Sequence, residues 1–147
     1  MSPVKGSSQA FTSTEVHVPM LVGKLFEEVR QTFAEEDWGG LRQSHLRLLS
    51  HVPPDGIPVT DLASALRMTK QACGQFVTGL VATGHLTDGV HEEDRRIRLV
   101  TLTPLGQETV RAANRRIRRI EQQWARRVGR ERYAMFRQVL EEIVGLR

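Results

Sequence analysis

The strongest constraint on the fold is a change of hydrophobic period close to residue 85. Before that point, apolar side chains recur every three or four residues, at Cys73, Phe76, Val77, Leu80 and Val81. This spacing places them on one face of a helix. After it, residues 85–90 and 96–103 are short segments with Val, Ile, Leu and Thr, separated by a charged tip. We therefore predict an amphipathic helix that leads directly into a two-stranded hairpin.

A shorter helix precedes the amphipathic one. Thr60 is placed to cap its N-terminus, and the helix ends near Arg67. Thr69 is the predicted N-cap of the next helix, so only a tight turn separates the two. Two helices joined in this way and followed by a hairpin form a winged helix-turn-helix. In that architecture the second helix enters the major groove of DNA.

Further helices flank this motif on both sides. One is predicted to begin near Pro19, and another covers residues 41–52 before a Pro-Pro pair. After the hairpin, Thr103 and Pro104 form the start of a long helix, which Gly129 separates from a last helix. The predicted fold is mainly α, a winged helix-turn-helix with an α-helical dimerisation region, in the order α-α-α-α-β-β-α-α.

The composition excludes several classes of protein. The 147 residues suit one domain with an added dimerisation element. No run approaches the roughly 18 apolar residues of a membrane-spanning helix, and the first residues lack a secretory signal, so we expect a cytoplasmic protein without a membrane span. A single cysteine excludes an internal disulfide and a cysteine-based zinc site. The sequence has no phosphate-loop, hydrolase or metalloprotease motif, and its five histidines lack metal-ligand spacing. We therefore expect neither an enzyme nor a bound cofactor or metal.

Positive charge is concentrated in the C-terminal part of the chain. Residues 1–94 carry 7 basic and 12 acidic side chains, whereas residues 95–147 carry 14 basic and 5 acidic ones. Such a skew indicates either a polyanionic partner, with nucleic acid as the first candidate, or a solvated basic helix. Charge alone does not decide between the two.

Candidate contacts with double-stranded DNA lie on the second helix of the motif and at the hairpin. The helix offers small or hydrogen-bonding side chains that suit base edges and nearby phosphates, namely Thr69, Lys70, Gln71, Gln75 and Thr78. At the turn, Asp94 is followed by arginines that are placed to reach a minor groove or phosphates, namely Arg95, Arg96 and Arg98. The alternatives are a solvated helix face and a salt-bridged surface turn. A winged-helix protein-interaction module, which would dock a partner with the same face, is the rival function.

These residues resemble the MarR family of bacterial transcription regulators over about residues 18–146. The segment 94–106 is similar to the family's wing signature and the Leu-Thr-x-x-Gly start of its next helix, and residues 69–72 are similar to a common opening of its recognition helix. The resemblance implies that Arg96 inserts into the minor groove while it pairs with Asp94. We expect Arg95 and Arg98 to contact the DNA backbone.

One residue departs from the family pattern. The family often has Arg or Lys where this chain has Asp88, between the recognition helix and the wing turn. The acidic residue makes the first wing strand less basic. We therefore expect a weaker or redirected contact between this strand and the phosphates.

The chain is expected to consist of an arm and two regions. Residues 1–16 lack apolar periodicity and are predicted to be a flexible N-terminal arm. By resemblance, residues 17–38 and 104–147 form the helical dimerisation region, and residues 39–103 form the winged-helix DNA-binding domain. The alternative for the basic, amphipathic terminal helices is a membrane-surface helix. We expect a homodimeric repressor of a palindromic operator with half-sites about 10 bp apart.

A small-molecule effector that releases the repressor from its operator is a further implication of the resemblance. The family's cleft accepts small aromatic or anionic compounds, and the candidate lining residues are Trp38, His45 and Arg47. A histidine such as His45 on a mostly apolar helix face is more often a hydrogen-bonded core residue. A redox-responsive regulator based on Cys73 is another alternative, because a helix N-terminus lowers the pKa of a thiol. The predicted burial of Cys73 favours a packing role instead.

Overall fold

The computed structural model describes residues 15–90 and 92–147. These residues form six helices and three strands: α1 (Val18–Ala34), α2 (Gln43–Ser50), β1 (Ile57–Pro58), α3 (Val59–Leu66), α4 (Lys70–Ala82), β2 (Leu86–Val90), β3 (Arg98–Leu102), α5 (Pro104–Val128) and α6 (Arg130–Ile143). The mainly α fold and the order of the predicted elements are confirmed, with β1 as one additional strand. Apart from residues 15 and 16, the predicted arm lies outside the described residues.

The chain divides into two compact units between Glu36 and Asp37. In the first unit, α1 is a 17-residue helix with a proline in its first turn. Proline suits this position because the N–H that it lacks would have no helical partner there. Leu21 and Phe26 of α1 are exposed. This helix therefore presents apolar side chains to solvent.

The core of the second unit lies where α2, α3 and α4 meet the sheet. Its fully buried members, each 0% exposed, include Leu49, Leu62, Cys73, Val77 and Val100. Burial of Cys73, Val77 and Leu80 confirms the predicted inner face of α4. Phe76 and Val81 are half-buried at its edge. Burying a large aliphatic side chain contributes about 1.5–3 kcal/mol, so this face fixes which side of α4 points outward.

The three strands form an antiparallel sheet in the order β1-β3-β2. The predicted hairpin is confirmed as β2 and β3, with Leu86 opposite Leu102 and Val90 opposite Arg98. β1 pairs Ile57 with Val100. A strand of two residues has no hydrophobic period of its own, so patterning along the sequence did not predict it.

The start of α3 corrects the sequence prediction. The predicted N-cap Thr60 is wrong, because the N-cap is Pro58, two residues earlier, and Thr60 lies inside the first turn of α3. Pro58 occupies the cap position and also pairs with Leu99 of β3, so strand pairing holds the chain extended until the helix begins. The prediction for Thr69 is confirmed, since its hydroxyl oxygen accepts a hydrogen bond from the Ala72 N–H at 3.1 Å.

The N-terminus of α5 packs against the base of the hairpin. The predicted start is confirmed, because the Thr103 hydroxyl accepts a hydrogen bond from the Gly106 N–H at 3.1 Å and donates one to the Gly84 carbonyl at 2.5 Å. A Cβ on Gly106 would lie 2.1 Å from the His85 carbonyl oxygen, so only glycine permits this approach. The end of α4, the start of β2 and the start of α5 therefore meet at one point.

Candidate nucleic-acid interface

The outward side of α4 carries polar side chains that the sequence predicted as DNA contacts. Gln71 and Gln75 are exposed and, by helical periodicity, lie opposite the buried Cys73. Lys70 is exposed in the first turn, on the flank of this face rather than at its centre. Amide and ammonium groups at these positions supply donors and acceptors that match base edges.

Two of the predicted DNA-contacting threonines use their hydroxyls inside the protein. Thr69 is exposed, but its hydroxyl oxygen caps α4. The Thr78 hydroxyl donates to the Gly74 carbonyl at 2.9 Å and accepts a hydrogen bond from Nη2 of Arg98 at 3.2 Å. These contacts leave each side chain a smaller capacity for hydrogen bonds with DNA than the sequence suggested.

The tip of the wing, residues 92–97, holds an arginine in a defined position without burying it. One carboxylate oxygen of Asp94 accepts hydrogen bonds from the Arg96 backbone N–H at 3.0 Å and from its Nε at 3.1 Å, and the other accepts one from Nη2 at 3.2 Å. The Arg96 side chain is nevertheless 91% exposed. The pairing implied by the family resemblance is therefore present, and the rest of the guanidinium faces solvent. Arg95 is exposed beside it.

Arg98 lies away from the tip, between the wing and α4. Its Nε donates to a carboxylate oxygen of Asp88 at 2.5 Å, and its side chain is 37% exposed. Its Nη2 donates to Thr78, as described above. We call this group of Asp88, Arg98 and Thr78 the helix–wing junction. The structure thus brings together two residues that the sequence predicted as separate DNA contacts, Thr78 and Arg98.

Sequence reasoning missed the pairing of Asp88 with Arg98. A signal was available, because side chains alternate along a strand and Asp88 falls on the same face as the buried Leu86. A carboxylate on the inward side of a strand needs a cation or donors close by. The sequence reasoning treated the same residue only as a loss of positive charge.

The candidate effector residues lie on or just before α2. His45 is held by two contacts: its Nδ1 accepts a hydrogen bond from the Arg42 N–H at 3.0 Å, and its ring meets the edge of Phe76 at 5.2 Å between centroids. Burial, with smaller contributions from Arg42 and His85, lowers the pKa of His45. Trp38 is half-buried and Arg47 is exposed. The contacts of His45 account for its position as a capping and packing residue.

Cys73 is poorly placed for redox chemistry. The residue is 0% exposed, and its thiol lies 3.9 Å from the Val59 carbonyl oxygen. Burial raises the pKa of Cys73, despite an opposing contribution from Arg98. The thiolate is the reactive form of cysteine, so this environment favours an inert packing role.

Residues 15–90 and 92–147 contain neither a candidate membrane span nor a candidate metal site. None of the helices in these ranges combines the length and apolarity that crossing a bilayer requires. Nor do these ranges contain a group of three or more His, Cys, Asp or Glu residues arranged to hold a metal ion.

Comparisons with known proteins place the fold. Neither a protein-family model nor a curated protein matches the sequence. Among solved structures, the reduced form of MarR from E. coli has a TM-score of 0.77 at 16% identity, over 89% of this chain and 98% of that one. A complex of S. aureus MepR with DNA has a TM-score of 0.70 at 18% identity, over 90% and 100% of the two chains. PcaV from Streptomyces coelicolor, in complex with its natural ligand, has a TM-score of 0.67 at 17% identity, over 88% and 93%. The chain therefore has the winged-helix fold of the MarR-family transcription regulators.

Proposed function

We propose that this protein is a sequence-specific DNA-binding transcription regulator and not an enzyme. The observation that carries the proposal is the geometry of Arg96, whose guanidinium is held on one edge by Asp94 while its side chain is 91% exposed. MepR, which shares the fold, has been solved bound to DNA. A regulator of this kind acts in the cytoplasm, where the bacterial chromosome lies.

The pairing of Arg96 favours insertion into a minor groove. A long exposed side chain loses rotamer freedom when it binds, and that loss weakens the complex. Asp94 restrains Arg96 before any partner arrives, and the N–H donors that do not face Asp94 stay available for base edges or sugar oxygens. The negative potential of a narrow minor groove attracts arginine in this position.

The outward face of α4 is the proposed reader of the major groove. Gln71 and Gln75 can form paired hydrogen bonds with a base edge, and Lys70 can contact a base or a nearby phosphate. We propose that these residues specify sequence, whereas Arg95 at the wing tip contacts the phosphate backbone.

We further propose that the protein acts as a homodimer through residues 17–38 and 104–147. None of the α6 residues, all of which the structure describes, is buried. Met135, Val139 and Ile143 recur every four residues on this helix and are 59%, 44% and 74% exposed. A row of exposed apolar side chains of this kind marks an interaction surface. A second copy of the chain is the proposed cover, and it would present two recognition helices to a palindromic operator.

Release by a small-molecule effector completes the proposal, with the protein acting as a repressor. Support comes from PcaV, which shares the fold and has been solved with its natural ligand. Trp38, His45 and Arg47 are the proposed lining residues for a small aromatic or anionic compound. Binding would favour a dimer whose recognition helices no longer match successive major grooves.

Selection from genomic DNA followed by a salt titration tests the DNA-binding proposal. The full chain would be incubated with genomic fragments, and the recovered sites would be measured as labelled duplexes by fluorescence anisotropy. We expect an inverted repeat among the recovered sites and a linear fall of log affinity with log salt, with a slope of about −0.9 for each phosphate contacted. An absence of duplex binding at low salt would contradict the proposal and favour the protein-interaction module.

A further inference from the structure

The wing carries a carboxylate on its inward side. In the β2–β3 pairing, Leu86 lies opposite Leu102 and Asp88 lies opposite Val100. Leu86 and Val100 are buried, at 2% and 0% exposure. Because side chains of a strand alternate between its faces, Asp88 continues the same inward face toward the wing tip. The Asp88 side chain is 26% exposed, so its carboxylate is partly shielded from water and is stabilised by a nearby cation.

Arg98 supplies that cation from the neighbouring strand. It lies opposite Val90, so Asp88 is its diagonal neighbour on the same face of the sheet. The distance from Nε of Arg98 to the Asp88 carboxylate is 2.5 Å, and the two side chains are 37% and 26% exposed. Partial burial distinguishes this pair from the freely exposed ion pairs that contribute little to stability.

The guanidinium of Arg98 also reaches α4, the proposed recognition helix. Nη2 of Arg98 donates to the Thr78 hydroxyl at 3.2 Å. A Cβ on Gly74 would lie 3.7 Å from Nη1, so the guanidinium lies over the helix at this point. Arg98 thus connects three elements: its own strand β3, the strand β2 through Asp88, and α4 through Thr78.

We propose that the helix–wing junction of Asp88, Arg98 and Thr78 sets the angle between the wing and the recognition helix, with Arg98 as a positioning residue rather than a phosphate ligand. This inference rests on the proposed function. DNA binding requires α4 and the Arg96 tip to enter two grooves at once, so a wing that pivots on α4 loses orientational freedom on binding. The junction removes that freedom in the unbound protein. It also gives Asp88 a role that its charge alone would not suggest.

The test exploits the sign of the charge effect. A carboxylate near phosphates repels DNA, so neutralising Asp88 raises affinity if only electrostatics matters. If Asp88 positions the wing, Asp88→Asn lowers affinity instead. The matched control is Glu92→Gln, which removes the same charge from the exposed wing tip, and we expect it to leave affinity unchanged or to raise it.

The closing experiment measures duplex affinity for Asp88→Asn, Arg98→Gln and the double variant, by anisotropy with a selected operator. We expect each single variant to bind about fivefold to twentyfold more weakly, and the double variant to bind no worse than the weaker single one, as for residues in one network. In an Arg96→Ala background the cost of Asp88→Asn should largely disappear, because the junction acts through the tip. Thermal unfolding of each variant separates lost positioning from lost folding.

Amide hydrogen exchange on the free protein supplies a reading that does not need DNA. Asp88→Asn and Arg98→Gln should speed exchange in residues 86–90 and 98–102, and Glu92→Gln should not. Tighter binding by Asp88→Asn, or a steeper salt slope, would overturn the inference and make Arg98 a phosphate ligand restrained by Asp88. Unchanged exchange in both junction variants would overturn it as well. If the wild-type chain binds no duplex, the proposed function fails, and hydrogen exchange alone decides whether the junction holds the wing.

Discussion

Arg96 at the wing tip and Arg98 at the helix–wing junction are two residues apart, and each pairs with an aspartate. The partner of Arg96 is two residues away in the chain, whereas the partners of Arg98 are 10 and 20 residues away. The Arg96 side chain is 91% exposed and that of Arg98 is 37% exposed. A partner within the same turn restrains an arginine and leaves it available to a ligand. An arginine whose partners lie on other elements joins those elements. The two arginines of one motif therefore have different proposed roles.

The largest expected effect comes from Gly106→Ala. This change disrupts the base of the hairpin that carries both Arg96 and Arg98. The new Cβ would lie 2.1 Å from the His85 carbonyl oxygen, and backbone atoms cannot move aside easily. We expect a loss of about 3 kcal/mol or more in the free energy of unfolding, at the upper end of overpacking costs. Urea denaturation measures this loss.

The control is Gly79→Ala, where the Cβ meets nothing within 4 Å. This change should stabilise α4 by up to about 1 kcal/mol. Similar stabilities of the two variants would contradict the packing described here.

Arg96→Ala tests the tip. It should weaken operator binding by about tenfold to a hundredfold, as expected for loss of a direct contact of about 1–3 kcal/mol. If Arg96 replaces counterions in the groove, the salt slope should become shallower by about 0.9. The free energy of unfolding should change little, because an exposed ion pair contributes at most about 1 kcal/mol. Arg118→Ala, an exposed arginine of α5, removes the same charge outside the proposed DNA contacts, and size-exclusion chromatography checks that this variant keeps the oligomeric state of the wild type. Equal losses in the two variants would indicate that only net charge matters, and would remove the distinction between tip and junction.

Thr69→Ala tests whether the local cap of α4 stabilises the helix that carries Gln71 and Gln75. Loss of the hydrogen bond from the Ala72 N–H should cost about 1 kcal/mol of stability. Thr60→Ala is the control, since Thr60 lies inside the first turn of α3 rather than at its cap, and it should cost clearly less. Thermal or urea unfolding of both variants gives the comparison. A larger cost at Thr60 would contradict the assigned start of α3.

The smallest expected effect is a pH dependence of the free energy of unfolding that comes from His45. The ring of His45 packs against Phe76 of α4. Burial, Arg42 and His85 lower the pKa of His45, so the folded state binds the proton less readily than the unfolded chain. Its contribution to stability is therefore complete above about pH 6.5, the ordinary histidine value, and is lost as the pH falls below it.

His45→Gln keeps an acceptor for the Arg42 N–H and removes the titration. The stability of the variant should decline less steeply below that pH in urea titrations. A smaller decline should persist, because burial also lowers the pKa of His85. Parallel pH curves for the variant and the wild type would show that His45 does not contribute.

The features that sequence reasoning predicted correctly depend on residues close together in the chain. The apolar spacing of Cys73, Val77 and Leu80 identified the buried side of α4, and Thr69 and Thr103 were recognised as caps from the residues that follow them. The pairing of Asp94 with Arg96 was instead implied by the family resemblance, and it forms within one turn because only two residues separate the groups. Helix periods, caps and turns depend on residues close together in the chain, so one sequence is enough to identify them.

Features that bring distant residues together were decided by the tertiary structure. Pairing of β1 with β3 places the N-cap of α3 at Pro58 instead of the predicted Thr60. The close approach of Gly106 to the His85 carbonyl explains a glycine that the sequence marked only as part of a motif. The contacts of Arg98 with Asp88 and Thr78 join three elements and changed its proposed role from phosphate contact to positioning. The sequence by itself thus determined the helices and the hairpin, because these follow from local periodicity. The different surroundings of Arg96 and Arg98 were decided only when strand pairing placed Asp88 beside Arg98.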